Sequence, residues 1–204
     1  YAPRHGSHLR LASVKMVQPI NDLAKSDNFD LAKEYFAGAN ETNSWQGKQW
    51  WLSYISEPVQ PIIAYNKDMV TKAGVTVPKD GATYEDLTAF ARQMTKGDVF
   101  GFFRGSGDSF GSSRTMRSFN AELIDADGKK CLLDATPGGL QFFEWRNSLM
   151  KDKLSPQAPA PGAPSVNEVF LGQKLAAIEI WPWFIQILPE QAKGRFEVDF
   201  FVAP

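Results

Sequence analysis

Residues 62–95 read IIAYNKDMVTKAGVTVPKDGATYEDLTAFARQMT, and the punctuation of this stretch decides the fold. Ile62-Ile63-Ala64-Tyr65 is an apolar run whose length and β-branched content suit a buried strand. Asn66-Lys67-Asp68 breaks the run, and Met69 to Ala73 can form a short helix that Gly74 ends. Pro78 biases Val77 away from helix, so Val75 to Pro78 reads as extended. Thr83 stands three residues before Asp86, a capping box with Asp in the place of Glu or Gln. Leu87, Phe90, Ala91 and Met94 then recur at the spacing of one helical face. Strand, helix and helix in this order belong to an α/β domain.

The ordered set Tyr65-Asn66-Lys67-Asp68, Ala73-Gly74, Pro78 and Thr83-Tyr84-Glu85-Asp86-Leu87 resembles the solute-binding proteins of ABC importers, in their sugar-binding branch. There a YNKD strand follows the crossing from the first lobe to the second, and a T-W-E-E-L helix comes after it. Tyr84 stands where that family has Trp. The resemblance implies an α/β, two-lobed periplasmic-binding-protein-like fold. Residues 1–58 would be part of lobe one and 59–204 most of lobe two, with hinge crossings near 57–61 and 202–204. Family members run to about twice this length, so the expectation is a middle fragment, with an apolar face left uncovered near Leu11 to Ala37.

Composition sets the outer limits. The chain has 204 residues, of which 43% are hydrophobic and 22% charged, and its net charge is −1. That balance fits a globular chain and argues against a nucleic-acid surface. No apolar run approaches the ~20 residues of a membrane span. Cys131 is the only cysteine, so neither an internal disulfide nor a cysteine metal cluster can form. His5 and His8 lack a nearby third ligand and read as part of a solvated loop rather than a metal site. Aromatic content is 13%, with six Trp, which means either a thick core or flat faces offered to a ligand.

The flanks extend both readings. Asp27 is placed to cap a helix through Phe36, with Gly38 as its stop, and Asn40-Glu41-Thr42 reads as a turn. Gly47-Lys48 and the aromatics after it resemble the family's approach to YNKD, and the alternation turns one of Trp50 and Trp51 inward. Val99 to Phe103 suits a strand, and Arg114 to Leu123 a helix. Between them lies Gly-Ser-Gly-Asp-Ser-Phe-Gly, which lacks the third Gly of a dinucleotide fingerprint and reads as a loop at a strand end. Thr136-Pro137 opens a helix bearing Leu140, Phe143, Trp145 and Leu149 and reaching Lys151. Ser165 caps a short turn. Phe196, Val198, Phe200 and Val202 alternate as a strand. Ile178 to Phe184 resembles the family's strand and G-P-W turn, with Trp181 in place of Gly.

Catalysis would need a nucleophile beside a base, or two carboxylates across one bond. Glu57, Asp108 and Glu179 are possible members of such a pair, and no motif brings two together. A binding site needs only aromatic faces and a few polar groups. Trp183, Trp181, Trp50, Trp51, Tyr54 and Phe110 supply faces, while Glu57, Gln60, Asp108, Ser109 and Arg114 supply hydrogen bonds. Core packing accounts for Phe142, Phe143, Trp145 and Phe200. The resemblance adds that the Trp after Pro in the family's turn stacks on sugars, here Trp183. It also places Arg4 to Ser7, with His5, at a ligand-facing loop. It implies a monomeric, cofactor-free extracytoplasmic protein, periplasmic or lipid-anchored, that delivers a sugar to the membrane subunits of an ABC importer. A glycosidase-like enzyme and a non-catalytic interaction domain are the alternatives.

Overall fold

The computed structural model describes residues 7–53, 62–104, 109–127, 129–157 and 160–204, with side chains left out at 7, 8 and 109–113. The chain divides into two compact units, Tyr1–Pro58 and Val59–Pro204.

The first unit holds helices α1 (Ser7–Ser13), α2 (Asn21–Ser26), α3 (Leu31–Glu34) and α4 (Ala37–Thr42), then strands β1 (Ser44–Trp45) and β2 (Lys48–Gln49). Gln46 and Gly47 both take positive φ, 52° and 72°, in the two-residue turn that joins β1 to β2. The helix expected from Asp27 to Phe36 is instead cut down to the single turn of α3, with Asp27 at the end of α2. Asn28 turns the chain at φ 54°, and the carboxylate of Asp30 accepts from the backbone N–H of Ala32 and Lys33, so Asp30 is the cap of a single turn. Tyr35 is extended, and Gly38 lies inside α4 rather than ending a helix. Asn40 to Thr42 are likewise helical, not a turn. Helices α2, α3 and α4 bury no residue, and Val14, Met16, Leu23, Phe29 and Phe36 are exposed.

The second unit is built on β3 (Ile62–Asn66), α5 (Lys67–Ala73), α6 (Tyr84–Met94), β4 (Phe100–Phe103), α7 (Ser109–Ser118), α8 (Pro137–Lys151), α9 (Val166–Leu171), β5 (Leu175–Ile180), α10 (Ile187–Ala192) and β6 (Val198–Val202). A 3-10 turn, Pro182–Phe184, follows β5. The strands form one sheet in the order β4-β5-β3-β6, with β4 and β5 parallel and β3 antiparallel to β5 and β6. β3 and β5 are interior strands covered on both sides, and their near-continuous apolar sequence follows from that.

Asn66 does not break the run as a loop would; its side chain accepts from the Met69 N–H and starts α5 at Lys67. Gly74 ends α5 at φ 65°, a conformation that favours glycine. The Thr83–Asp86 capping box forms in both directions, as does one between Ser165 and Glu168. Helix α7 begins upstream of the expected 114–123 span and ends within it at Ser118, and Asn120 at φ 55° turns the chain soon after. Thr136 precedes α8 without capping it, because its hydroxyl donates to the Asn120 carbonyl.

Two cores sandwich the sheet. One gathers Ile63, Leu87, Phe90, Met94, Phe102, Leu149 and Phe201 under α6 and α8; the other gathers Ala64, Phe170, Leu175, Ile180, Leu188 and Phe196. Helix α8 shows its buried side through Gly138, Gly139, Phe142 and Leu149. Phe143, expected in the core, is 41% exposed, and Leu140 is exposed beside it. The backbone at Gly138 and Gly139 approaches the chain at Phe119 and Leu133 so closely that the adjacent face carries the contact.

Candidate functional site

Period-two geometry and register place the polar residues of the second unit. Phe102 pairs with Ala177 and Phe103 with Ile178 across parallel β4 and β5, so the next step sets Arg104 opposite Glu179. Side chains two apart share a face, which aligns Phe102 with Arg104, and Ala177 with Glu179 and Trp181. All three polar or aromatic groups lie at the carboxyl end of the two parallel strands, on the face covered by α6 and α8.

Arg104 is almost wholly buried. Its Nε lies 3.8 Å from Oε2 of Glu179, and its Nε and Nη2 donate to Oγ1 of Thr115 at 3.2 and 2.8 Å. Its guanidinium sits 5.6 Å from the centroid of the Phe142 ring. Burial pushes the Arg104 pKa down from its usual value, and the neighbouring Glu179 carboxylate pulls the other way. Arg114 reaches the same carboxylate from α7, where Nη2 donates to Oε1 of Glu179. Its guanidinium also lies 5.7 Å from the Trp181 ring centroid, a cation–π contact. One carboxylate thus ties a strand end and a helix together through two guanidiniums.

Tyr84 closes the network on its inner side. Its ring stacks on Phe119 at 5.0 Å and meets Trp145 edge-on at 4.6 Å, and its hydroxyl donates to the Pro204 carbonyl at 3.1 Å. Burial is the main cause that raises its pKa, and its hydroxyl also faces Thr115 and Ser118. A Trp at this position would offer an N–H on a larger ring and no hydroxyl.

Trp183 is 56% exposed, on the 3-10 turn that Pro182 opens after β5, with its ring edge-on to Phe184 at 5.2 Å. Trp181 is half-buried against Arg114. Trp51 belongs to the first unit, where a groove of about 690 Å³ is lined by Lys15, Met16, Val17, Gln18, Ile20, Trp50, Trp51 and Leu52. Both Trp50 and Trp51 line it, and the Trp50 indole N–H donates to the Trp45 carbonyl at 3.0 Å. His5, Tyr54, Glu57, Gln60 and Asp108 lie outside the described residues, as do the side chains of Ser109 and Phe110 and the 57–61 crossing.

The structure therefore unites Trp181, Arg114 and Glu179 from the sequence candidates and adds Arg104, Thr115 and Tyr84. The signal for Arg104 was present: a charged residue two places after Phe102, closing a strand otherwise apolar. Among the described residues no group of three His, Cys, Asp or Glu is placed to hold a metal ion. No helix among them is long and apolar enough to cross a membrane.

A model of the bacterial extracellular solute-binding protein family matches residues 6–204. Solved structures share the fold. An ABC substrate-binding protein from Listeria monocytogenes, in complex with cycloalternan, superposes with a TM-score of 0.79 at 18% identity, over 95% of this chain and 49% of its own. UgpB from Mycobacterium tuberculosis, in complex with glycerophosphocholine, gives 0.75 at 16% identity, over 97% and 47%. The GacH receptor of Streptomyces glaucescens, solved unliganded and with acarbose, gives 0.73 at 21%, over 95% and 48%. The chain spans about half the length of these proteins. No curated protein matches it.

Proposed function

The chain belongs to the bacterial extracellular solute-binding protein family, and on that premise we propose that it captures a small hydroxylated solute, a sugar or polyol, outside the cytoplasm for an ABC importer. The observation that carries the ligand class is Trp183, an indole 56% exposed on a turn made rigid by Pro182 at the end of an interior strand. Ligands of open α/β sheets bind at carboxyl strand ends, and a flat indole suits the C–H face of a sugar ring. Trp181, Trp51, Tyr54, Glu57, Asp108, Phe110 and His5 are the further contacts in this reading. The 1–58 and 59–204 segments act as lobe parts, hinged near 57–61 and 202–204. Ligand shifts them toward a closed state by binding it more tightly than the open one. The role is binding without catalysis. The protein acts as a monomer, needs no cofactor and is either periplasmic or lipid-anchored.

Thermal shift and titration calorimetry of the full chain with maltotriose, D-mannitol and D-glucose test this. At ligand 100-fold above its Kd, stabilisation should reach about 2.7 kcal/mol, and the ligand should be recovered chemically unchanged. An indole face on a ligand is worth about 1.5–2 kcal/mol by area, so Trp183→Ala should weaken binding about 10- to 30-fold. Unchanged affinity in that variant would remove Trp183 from the site. Hydrolysis of the sugar would overturn the non-catalytic role.

A further inference from the structure

Glu179 stands on an interior strand whose other positions are Leu, Ala and Ile, and a carboxylate there is costly unless something uses it. Arg104 alone would neutralise it. That side chain is 6% exposed and locked by Thr115 and Phe142, so it serves as the fixed anchor of Oε2. Arg114 differs. Its side chain is 19% exposed and that of Glu179 14%, so both retain contact with solvent, and the Trp181 ring lies 5.7 Å from the guanidinium. A guanidinium carries five N–H donors and a carboxylate about four acceptor sites, more than this pair consumes on each other.

We infer that Arg114 and Glu179 together read adjacent hydroxyls of a neutral sugar or polyol, the guanidinium donating to one hydroxyl and the carboxylate accepting from its neighbour. This rests on the solute-binding reading and names the chemistry that the site selects. Both bonds are charge-assisted, and both partners are held before ligand arrives, one by Trp181 and the other by Arg104. The donor and acceptor sit side by side, which matches a vicinal diol. Arg104 and Trp181 are positioning residues in this arrangement.

The test is calorimetry on the full chain with maltotriose and D-mannitol, followed by monodeoxy analogues of whichever binds. Arg114→Lys keeps the positive charge beside Glu179 and loses the planar fork. It should weaken binding about 10- to 100-fold, the range for hydrogen bonds to charged groups. Wild type should reject the analogue lacking the read hydroxyl by a similar factor, and Arg114→Lys should lose that discrimination. Glu179→Gln, measured below its own melting transition, should lose it too. A purely structural pair would show a lowered Tm in Arg114→Lys with affinity and discrimination both intact, and that result overturns the inference. Tighter binding of D-gluconate than of D-mannitol overturns it as well. If Trp183→Ala weakens binding while Arg114→Lys does not, this inference alone fails. If neither maltotriose nor D-mannitol binds wild type, the solute-class reading and this inference fall together.

Discussion

Replacing Gly101 by Ala tests how the sheet presents Arg104, because β4 and α6 meet there with no room for a side chain. A Cβ built at Gly101 would stand 1.9 Å from the Ala91 carbonyl oxygen, 2.6 Å from its carbonyl carbon and 2.7 Å from its Cα, all backbone atoms of α6. No rotamer change relieves that overlap; α6 must retreat by about 1 Å or more to restore an ordinary contact. The same helix buries Leu87, Phe90, Ala91 and Met94 against the sheet. A radial gap of about 0.5–1 Å forfeits a quarter to a half of each dispersion contact. The strand cannot slide away instead, since the Gly101 N–H donates to the Leu154 carbonyl and to Thr95 Oγ1, both at 3.0 Å. Overpacking costs about 1–3 kcal/mol, and a backbone clash belongs at the upper end. About 3 kcal/mol lowers Tm by about 6–12 °C in a chain of this size. Thermal unfolding followed by circular dichroism, with urea midpoints beside it, measures the loss. A fall of less than about 2 °C at an unchanged urea slope would refute the close approach of α6 to β4, and with it the account of how Arg104 is placed.

Tyr84→Phe keeps the stack on Phe119 and Trp145 and removes only the hydroxyl that donates to Pro204. The expected loss is about 1 kcal/mol, or about 2–4 °C in Tm; a loss several times larger would mean that the ring's place depends on the hydroxyl. Tyr65 is buried, and its hydroxyl donates to Asp199 Oδ2 at 3.1 Å; burial first, then that bond and the Asp199 charge, raise its pKa from 10.0 to about 12. The folded state holds the phenol proton more tightly than the unfolded chain does, so this contribution is complete below pH 10 and is lost as pH rises toward about 12. Tyr65→Phe should therefore flatten the alkaline fall in urea midpoint across that window, and an unchanged slope would assign the fall to other groups.

The sequence determined the local elements wherever a residue's own backbone chemistry sets the outcome. The capping pair Thr83–Asp86, the stop at Gly74 and the apolar runs of β3 and β5 depend on neighbours a few positions away, and they stand where periodicity and turn chemistry put them. The motif order from Tyr65 to Leu87 also carried the family, since it preserves spacing that composition alone does not. Local reading failed where two signals competed. Asp27 suits a helix start by type, yet it ends α2, Asn28 turns the chain at positive φ, and Asp30 caps α3 in its place. Phe142 and Phe143 are equivalent as letters; close backbone approach at Gly138 and Gly139 rotates α8 so that one is buried and the other exposed. The polar site was legible only in part. Trp181, Trp183, Arg114 and Glu179 stood out by type, yet Arg114 and Glu179 are 65 residues apart, and sequence distance says nothing of their pairing. Parallel β4–β5 register sets Arg104 opposite Glu179, and α7 then lowers Arg114 onto the same carboxylate. That juxtaposition was decided by the tertiary structure, because strand register and helix packing are fixed by burial of the whole apolar set and not by the charged residues themselves.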